Sequence, residues 1–170
     1  MSVEIINCTD AVITPPVTKL LALTFVDAIK VTIASEMKPG WGDSSVFQIV
    51  IMTPDCNESH LVVKICPINK IQKEWQAFQS CIPKRRRGIT EMIGEPVYLE
   101  NENLGAVRYP YIGGYRHKVE TFLNYCKHID TTDIINDVME DELYENLQYW
   151  WAQGRLEKNY HIAEHYGHVL

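Results

Sequence analysis

The residues best suited to chemistry in this sequence are a lysine in an apolar strand and a glutamate on the helix predicted to follow it. Residues 61–66 are a short, β-branched run closed by Pro67, a pattern that predicts a buried strand rather than a helix. Because strand side chains alternate between two faces, Lys64 shares its face with Val62 and Cys66. An ammonium group in an apolar layer costs several kcal/mol unless an anion pairs with it. Lys64 therefore requires an anionic partner.

The helix predicted after this strand supplies a candidate partner. Its apolar residues recur at helical spacing and form a narrow stripe, made of Ile71, Trp75, Phe78 and Ile82. At about 100° per residue, Glu74 lies on the edge of this stripe and can face the sheet. We therefore predict an ion pair between Lys64 and Glu74. The alternative is an amphipathic hairpin with a snorkelling lysine and a solvent-exposed glutamate.

Length and composition are those of a globular protein. The 170 residues suffice for one domain with a sizeable core, and no apolar run approaches the length that spans a bilayer. The N-terminal residues MSVEIINCTD lack the basic and apolar regions of a secretion signal. The net charge of -6 argues against a surface for nucleic acid or anionic membranes. We expect a cytoplasmic protein that binds neither nucleic acid nor membrane.

The cysteines and histidines form no assignable nucleophile or ligand set. The five cysteines lack CxxC spacing, which predicts reduced and mostly buried thiols at Cys8, Cys56, Cys66, Cys81 and Cys126. The C-terminal histidines His161, His165 and His168 have helical spacing suited to a metal, but no third protein ligand can be assigned, and we predict no metal site. The basic run at residues 84–87 suits the negative end of a helix dipole.

The periodicity along the chain predicts an α+β fold. A five-stranded antiparallel sheet is expected from strands at residues 29–34, 46–52, 61–66, 89–93 and 104–111. One helix, residues 71–82, is expected to pack on the sheet, and another is predicted at residues 17–28 after a proline pair. Residues 1–16 read as an extension or an edge strand. Pro110 and the Gly113-Gly114 pair end the sheet, and helices are predicted through residues 119–126 and 132–153. We therefore predict two domains: residues 1–114, which contain the sheet, and a helical segment, residues 115–170.

The loop between the first two predicted strands is a candidate anion site. Gly40 and Gly42 would let backbone N–H groups approach an anion closely, and Ser44 and Ser45 add hydroxyl donors. Ordinary turn chemistry is the alternative explanation for two glycines in a polar loop.

Taken in order, these elements resemble the small lobe of a protein-kinase-like fold. The order is strand, small-residue loop, strand, VVKI strand, helix with Glu74, two strands and then YPYIGG with helices. The chain is most similar to bacterial kinase-like domains of the aminoglycoside and choline phosphotransferase superfamily, and within them to ternary-complex-associated kinase-like domains. The resemblance spans residues 28–151.

The resemblance implies a site for ATP with Mg²⁺. Lys64 would be the lysine that contacts phosphate and Glu74 its ion-pair partner. Residues 40–45 would be the phosphate loop, and residues 108–112, with Tyr109 and Tyr111, the hinge strand beside the adenine. The loop lacks the family's fuller glycine pattern, and the chain has no HxDxxxxN segment and no DFG-like acidic residue.

Three hypotheses for the function follow. The first is a kinase-like nucleotide-binding lobe, catalytically incomplete alone, that belongs to a larger phosphotransferase-like protein or a pseudokinase. The second is a non-catalytic module of the same fold that docks a protein partner, or a second copy of itself, through its helical half, where Trp150 and Trp151 lie. The third and least supported is a thiol or metal hydrolase.

Overall fold

The computed structural model describes residues 3–37, 44–81, 90–112, 126–127 and 132–144. The chain divides into two compact units, Met1–Val119 and Glu120–Leu170. The first unit holds the sheet and every described candidate site residue.

The first unit is built on a mixed sheet of six strands in the order β1-β2-β3-β4-β6-β5. The strands are β1 (Glu4–Asn7), β2 (Lys30–Met37), β3 (Ser45–Met52), β4 (Glu58–Pro67), β5 (Val97–Leu99) and β6 (Leu104–Pro110). Helix α1 (Pro15–Thr24) lies between β1 and β2 in the chain, and helix α2 (Ile68–Cys81) follows β4 directly. The α+β class predicted from the sequence is confirmed.

The prediction of five antiparallel strands is wrong in one respect, because residues 4–7 form a sixth strand that pairs in parallel with β2. Parallel neighbours need a crossover connection, and α1 provides it. The proline pair predicts the beginning of this helix, with Pro15 and Pro16 in its first turn, but the helix ends at Thr24 rather than at residue 28.

The predicted strand at residues 89–93 is also wrong, since residues 90–93 form no strand and the strand in this part of the chain is β5. Gly94 has a φ of 66°, which takes the backbone out of extended geometry before β5 begins. A short 3-10 turn, Glu100–Glu102, and Asn103 in the left-handed region then reverse the chain into β6. Strand β5 pairs with β6 at the edge of the sheet.

The two faces of the sheet are packed differently. We call the side covered by α1 the α1 face, where the main core lies: Leu20, Leu21, Phe25, Ala28, Val31, Ile33, Phe47, Ile49, Val63, Ile65, Leu99 and Ala106. We call the opposite side the α2 face. Its buried cluster consists of Cys66, Ile71 and Val107, with Met92, Tyr98 and Tyr109 packed around it.

In the second unit, helix α3 (Thr132–Asp137) is followed by a π-helical segment, Val138–Tyr144. The predicted helix therefore begins at Thr132 as expected, and its residues after Tyr144 lie outside the described ranges. Of the shorter predicted helix, only Cys126 and Lys127 are described, and both are helical. No helix among the described residues is long and apolar enough to cross a membrane.

Candidate functional site

The ion pair predicted between Lys64 and Glu74 is present on the α2 face. The ammonium Nζ of Lys64 donates to Oε2 of Glu74 at 2.6 Å. The two side chains are 29% and 28% exposed, so the pair is neither sealed in the core nor fully solvated. An ammonium group has three donor protons, and Glu74 accepts one of them. No second acceptor for this ammonium group is found among the described residues, so the group can also bind an anion.

Local geometry explains why the two residues meet. Strand β4 runs to Pro67 and α2 begins at Ile68, so no loop separates the lysine strand from the glutamate helix. Ile71 is fully buried against the sheet, and Glu74, three residues on, lies on the same side of the helix. This geometry places the carboxylate above β4, where Lys64 reaches it.

Tyr109 also contacts Glu74, through its hydroxyl. The phenol donates to Oε1 of Glu74 at 2.5 Å, so each oxygen of the carboxylate accepts one hydrogen bond. Burial raises the pKa of Tyr109, and the hydrogen bond to Glu74 and the charge of its carboxylate raise that pKa further. A phenol is already protonated at neutral pH, and the raised pKa keeps that of Tyr109 a donor in more alkaline solution as well.

The register of β4 against β6 brings this tyrosine into place. Lys64 pairs with Val107, and Tyr109 pairs with Val62. Lys64 and Tyr109 are thus diagonal neighbours on one face of an antiparallel pair, a spacing of about 7 Å between backbones that long side chains can bridge. The carboxylate of Glu74 lies between the two side chains and accepts a hydrogen bond from each.

Ser44 and Cys66 lie on the same face as Lys64. Burial raises the pKa of Cys66, which the nearby Ser44 side chain and the charge of Lys64 only partly oppose. A buried thiol that holds its proton is a poor nucleophile, so Cys66 gives no support to the hydrolase hypothesis.

An open cavity of about 270 Å³ lies next to the end of β6. Its described lining is mainly apolar: Met37, Val62, Thr90, Tyr109, Pro110, Tyr111 and Ile112. Lys64 is two residues beyond Val62 on the same face, which at about 3.3 Å per residue separates their backbones by roughly 7 Å. The cavity and the ion pair are therefore neighbours on one surface.

The other predicted site residues are distributed as follows. Tyr111 lines the cavity, and its ring centroid is 6.3 Å from that of His60. Ser45 pairs with Ile65, so strand alternation directs it to the α1 face, away from Lys64. Gly40 and Gly42 lie outside the described residues, as do the basic run at residues 84–87 and the C-terminal histidines.

Two cysteines depart from the prediction that the thiols are mostly buried. Cys8 is exposed because it follows the short edge strand β1. Cys56 is exposed in the turn between β3 and β4, where its φ of 59° places it in the left-handed region. Cys66 is buried as predicted.

Sequence reasoning missed the bond between Tyr109 and Glu74. It placed Tyr109 only in the predicted hinge strand, because the contact depends on the register between β4 and β6. The available signal was alternation, which puts Val107 and Tyr109 of β6 on one face of the sheet.

Neither the protein-family models nor the curated proteins contain a match to this chain.

Proposed function

We propose that this chain is a kinase-like nucleotide-binding lobe that is catalytically incomplete on its own. The observation that carries the proposal is the 2.6 Å ion pair between Lys64 and Glu74 beside the apolar cavity. The order of elements from β2 to β6, with α2 after the lysine strand, agrees with the small lobe that the sequence resembles.

The residues present suit the ring system and the phosphates of a nucleotide. The cavity is slightly below the roughly 300–1,000 Å³ of sites that enclose a whole drug-sized ligand. At about 270 Å³ and lined by Val62, Pro110 and two tyrosines, it suits a flat ring system rather than a whole nucleotide. Phosphates would then extend along β4 to Lys64, whose remaining donor protons can bond to phosphate oxygens.

Isothermal titration calorimetry with ATP and Mg²⁺ tests this proposal directly. The wild-type chain should bind, and Lys64→Met should abolish binding, because methionine keeps the bulk of the stem and deletes the charge. The variant should lose only about 1 kcal/mol of stability, since Tyr109 continues to donate to the stranded carboxylate of Glu74.

Lys73→Met is the matched control. Lys73 is an exposed lysine on α2, one residue before Glu74, so this substitution removes the same charge without touching the ion pair. It should leave ATP affinity within about twofold. A wild-type chain that binds no ATP, or a Lys64→Met variant that binds as tightly as the wild type, would remove the nucleotide proposal and favour a non-catalytic interaction module.

A further inference from the structure

A single side chain, Tyr109, joins the cavity to the ion pair. Its hydroxyl donates to Oε1 of Glu74, and the residue also contributes to the wall of the cavity. The second carboxylate oxygen, Oε2, accepts from Lys64. The contacts thus run without a break from the cavity through Tyr109 and Glu74 to the ammonium group of Lys64.

Helix α2 has few other attachments that would hold Glu74 in place. Its first turn is tied to the sheet by the direct connection from β4 and by the fully buried Ile71. Among its described residues beyond Ile71, Trp75 and Phe78 are half-buried and stack on each other, while the rest apart from Glu74 are exposed. The two hydrogen bonds of Glu74 are therefore the main described polar link between the middle of the helix and the sheet.

The geometry points to Tyr109 as a positioning residue that holds Glu74 against the sheet and thereby directs the Lys64 ammonium group toward a bound phosphate. This inference rests on the proposed function and assigns Tyr109 a role in it beyond lining the cavity. A ring seated in the cavity contacts the tyrosine that bonds to Glu74, so occupancy of the cavity restrains the ion pair as well.

Two observations support a positioning role over simple wall packing. The hydroxyl of Tyr109 reaches the carboxylate that Lys64 also binds, whereas Tyr98, on the same face in β5, has no described hydrogen bond to Glu74. Burial and the hydrogen bond to Glu74 also raise the pKa of Tyr109, so its phenol remains a donor to the carboxylate above its ordinary titration range. A protonated phenol offers a donor to the carboxylate, and phenylalanine would remove that donor while keeping the ring.

Chemical labelling of the full chain tests this positioning without any ligand. A short pulse of acetic anhydride acetylates accessible lysines, and mass spectrometry compares Lys64 with the exposed Lys73 as an internal reference. Tyr109→Phe should raise relative labelling of Lys64 by up to about tenfold, as loss of one hydrogen bond to a charged group implies. Glu74→Gln should raise it at least as much.

Tyr98→Phe is the matched control for this measurement. It removes the same hydroxyl from a tyrosine on the same face, so labelling of Lys64 should remain at the wild-type level. If Tyr109→Phe labels like the wild type, Tyr109 does not position the ion pair and the inference is wrong. If Tyr98→Phe raises the labelling as much as Tyr109→Phe does, the effect is general loosening and the inference is equally wrong.

Calorimetry with two ligands then separates positioning from wall packing. Adenosine carries the base without phosphates, so its affinity for Tyr109→Phe should stay within about twofold of wild type, whereas the affinity for ATP with Mg²⁺ should fall about tenfold. Equal losses for both ligands would show that Tyr109 acts only as cavity wall. If the wild-type chain binds neither ligand, the proposed function fails, while the labelling of Lys64 still decides whether Tyr109 holds the ion pair.

Discussion

The α1 face and the α2 face belong to the same sheet but differ in composition: the first carries the main apolar core, and the second carries a small buried cluster beside the ion pair. On the α1 face, aliphatic side chains of α1 and Phe25, which follows the helix, pack against side chains of five strands to make the main core. On the α2 face, the fully buried apolar cluster contains only Cys66, Ile71 and Val107 among the described residues. Charged and hydrogen-bonding groups take up the surface beside it.

The difference shows how one sheet separates stability from chemistry. Burial of apolar area on the α1 face can stabilise the fold regardless of what the other face carries. The α2 face is then free to hold a partly exposed lysine and glutamate, which add little stability on their own. Substitutions on the α1 face should therefore lower the free energy of unfolding more than substitutions on the α2 face.

The largest effect is expected from the core of the α1 face. Leu20 has no exposed area and lies in the main cluster, so Leu20→Ala should cost about 3 kcal/mol of unfolding free energy through lost burial and a cavity. Urea unfolding followed by circular dichroism measures the change. Val12→Ala, at a position 90% exposed, is the control and should change the free energy by less than about 0.5 kcal/mol. Similar losses for the two variants would contradict the assignment of the core.

A smaller effect is expected at Gly105, where Ile71 of α2 packs closely on the sheet. A Cβ at Gly105 would lie 3.0 Å from Cγ1 and 3.2 Å from Cβ of Ile71, and 3.1 Å from Cδ1 of Tyr98. Because the Ile71 Cβ is attached to the helix backbone, Gly105→Ala should push α2 outward and cost about 1–2 kcal/mol. Urea unfolding gives the cost, and raised acetylation of Lys64 reports the displaced helix.

A double-mutant cycle checks the cause of that loss. Ile71→Ala removes the Cγ1 atom that the new methyl group meets, so the double variant should lose less stability than the sum of the two single variants. Strict additivity would mean that Gly105 and Ile71 do not determine how closely α2 packs.

The smallest effect is confined to alkaline solution and concerns Tyr109. Burial raises the pKa of Tyr109 above its ordinary value of about 10, so the unfolded chain releases this proton at a lower pH than the native chain does. The contribution of Tyr109 to stability is therefore complete below about pH 10 and declines as the pH rises above it, by less than about 1.4 kcal/mol per pH unit.

Urea unfolding at pH 8, 10 and 11 measures this decline. Tyr109→Phe should lose less stability between pH 10 and pH 11 than the wild type, while Tyr98→Phe should follow the wild type. Other groups also titrate in this pH range, so the comparison rests on the differences between the three proteins. Parallel curves for the wild type and Tyr109→Phe would show that the phenol is not protected in the native state.

The ion pair could be predicted from the sequence because it depends on local geometry alone. Strand alternation assigns Lys64 to one face, and the spacing from Ile71 assigns Glu74 to one side of a helix that follows without a loop. The alternating strand from Lys30 to Met37 likewise buries Val31 and Ile33, as its pattern predicts.

Pairings between distant segments could not be predicted in the same way. Strand β1 is only four residues long, and its parallel partner lies across a helix. Strand β5 has three residues, too few for alternation to distinguish it from the neighbouring run at residues 90–93. The role of Tyr109 depends on the register of β6 against β4, which hydrogen bonds between distant segments determine.

The direct passage from β4 into α2, with β5 and β6 added afterwards, also bears on the order in which the protein folds. The hairpin of β3 and β4 and the start of α2 involve neighbours in sequence, whereas the pairing of Lys64 with Val107 closes a much longer loop. Long-range strand pairing is slow because its loop-closure entropy is lost before the contacts form. Because Tyr109 belongs to β6, we expect Glu74 to meet Lys64 before it meets Tyr109, and the three-residue cluster to be completed only when β6 pairs with β4.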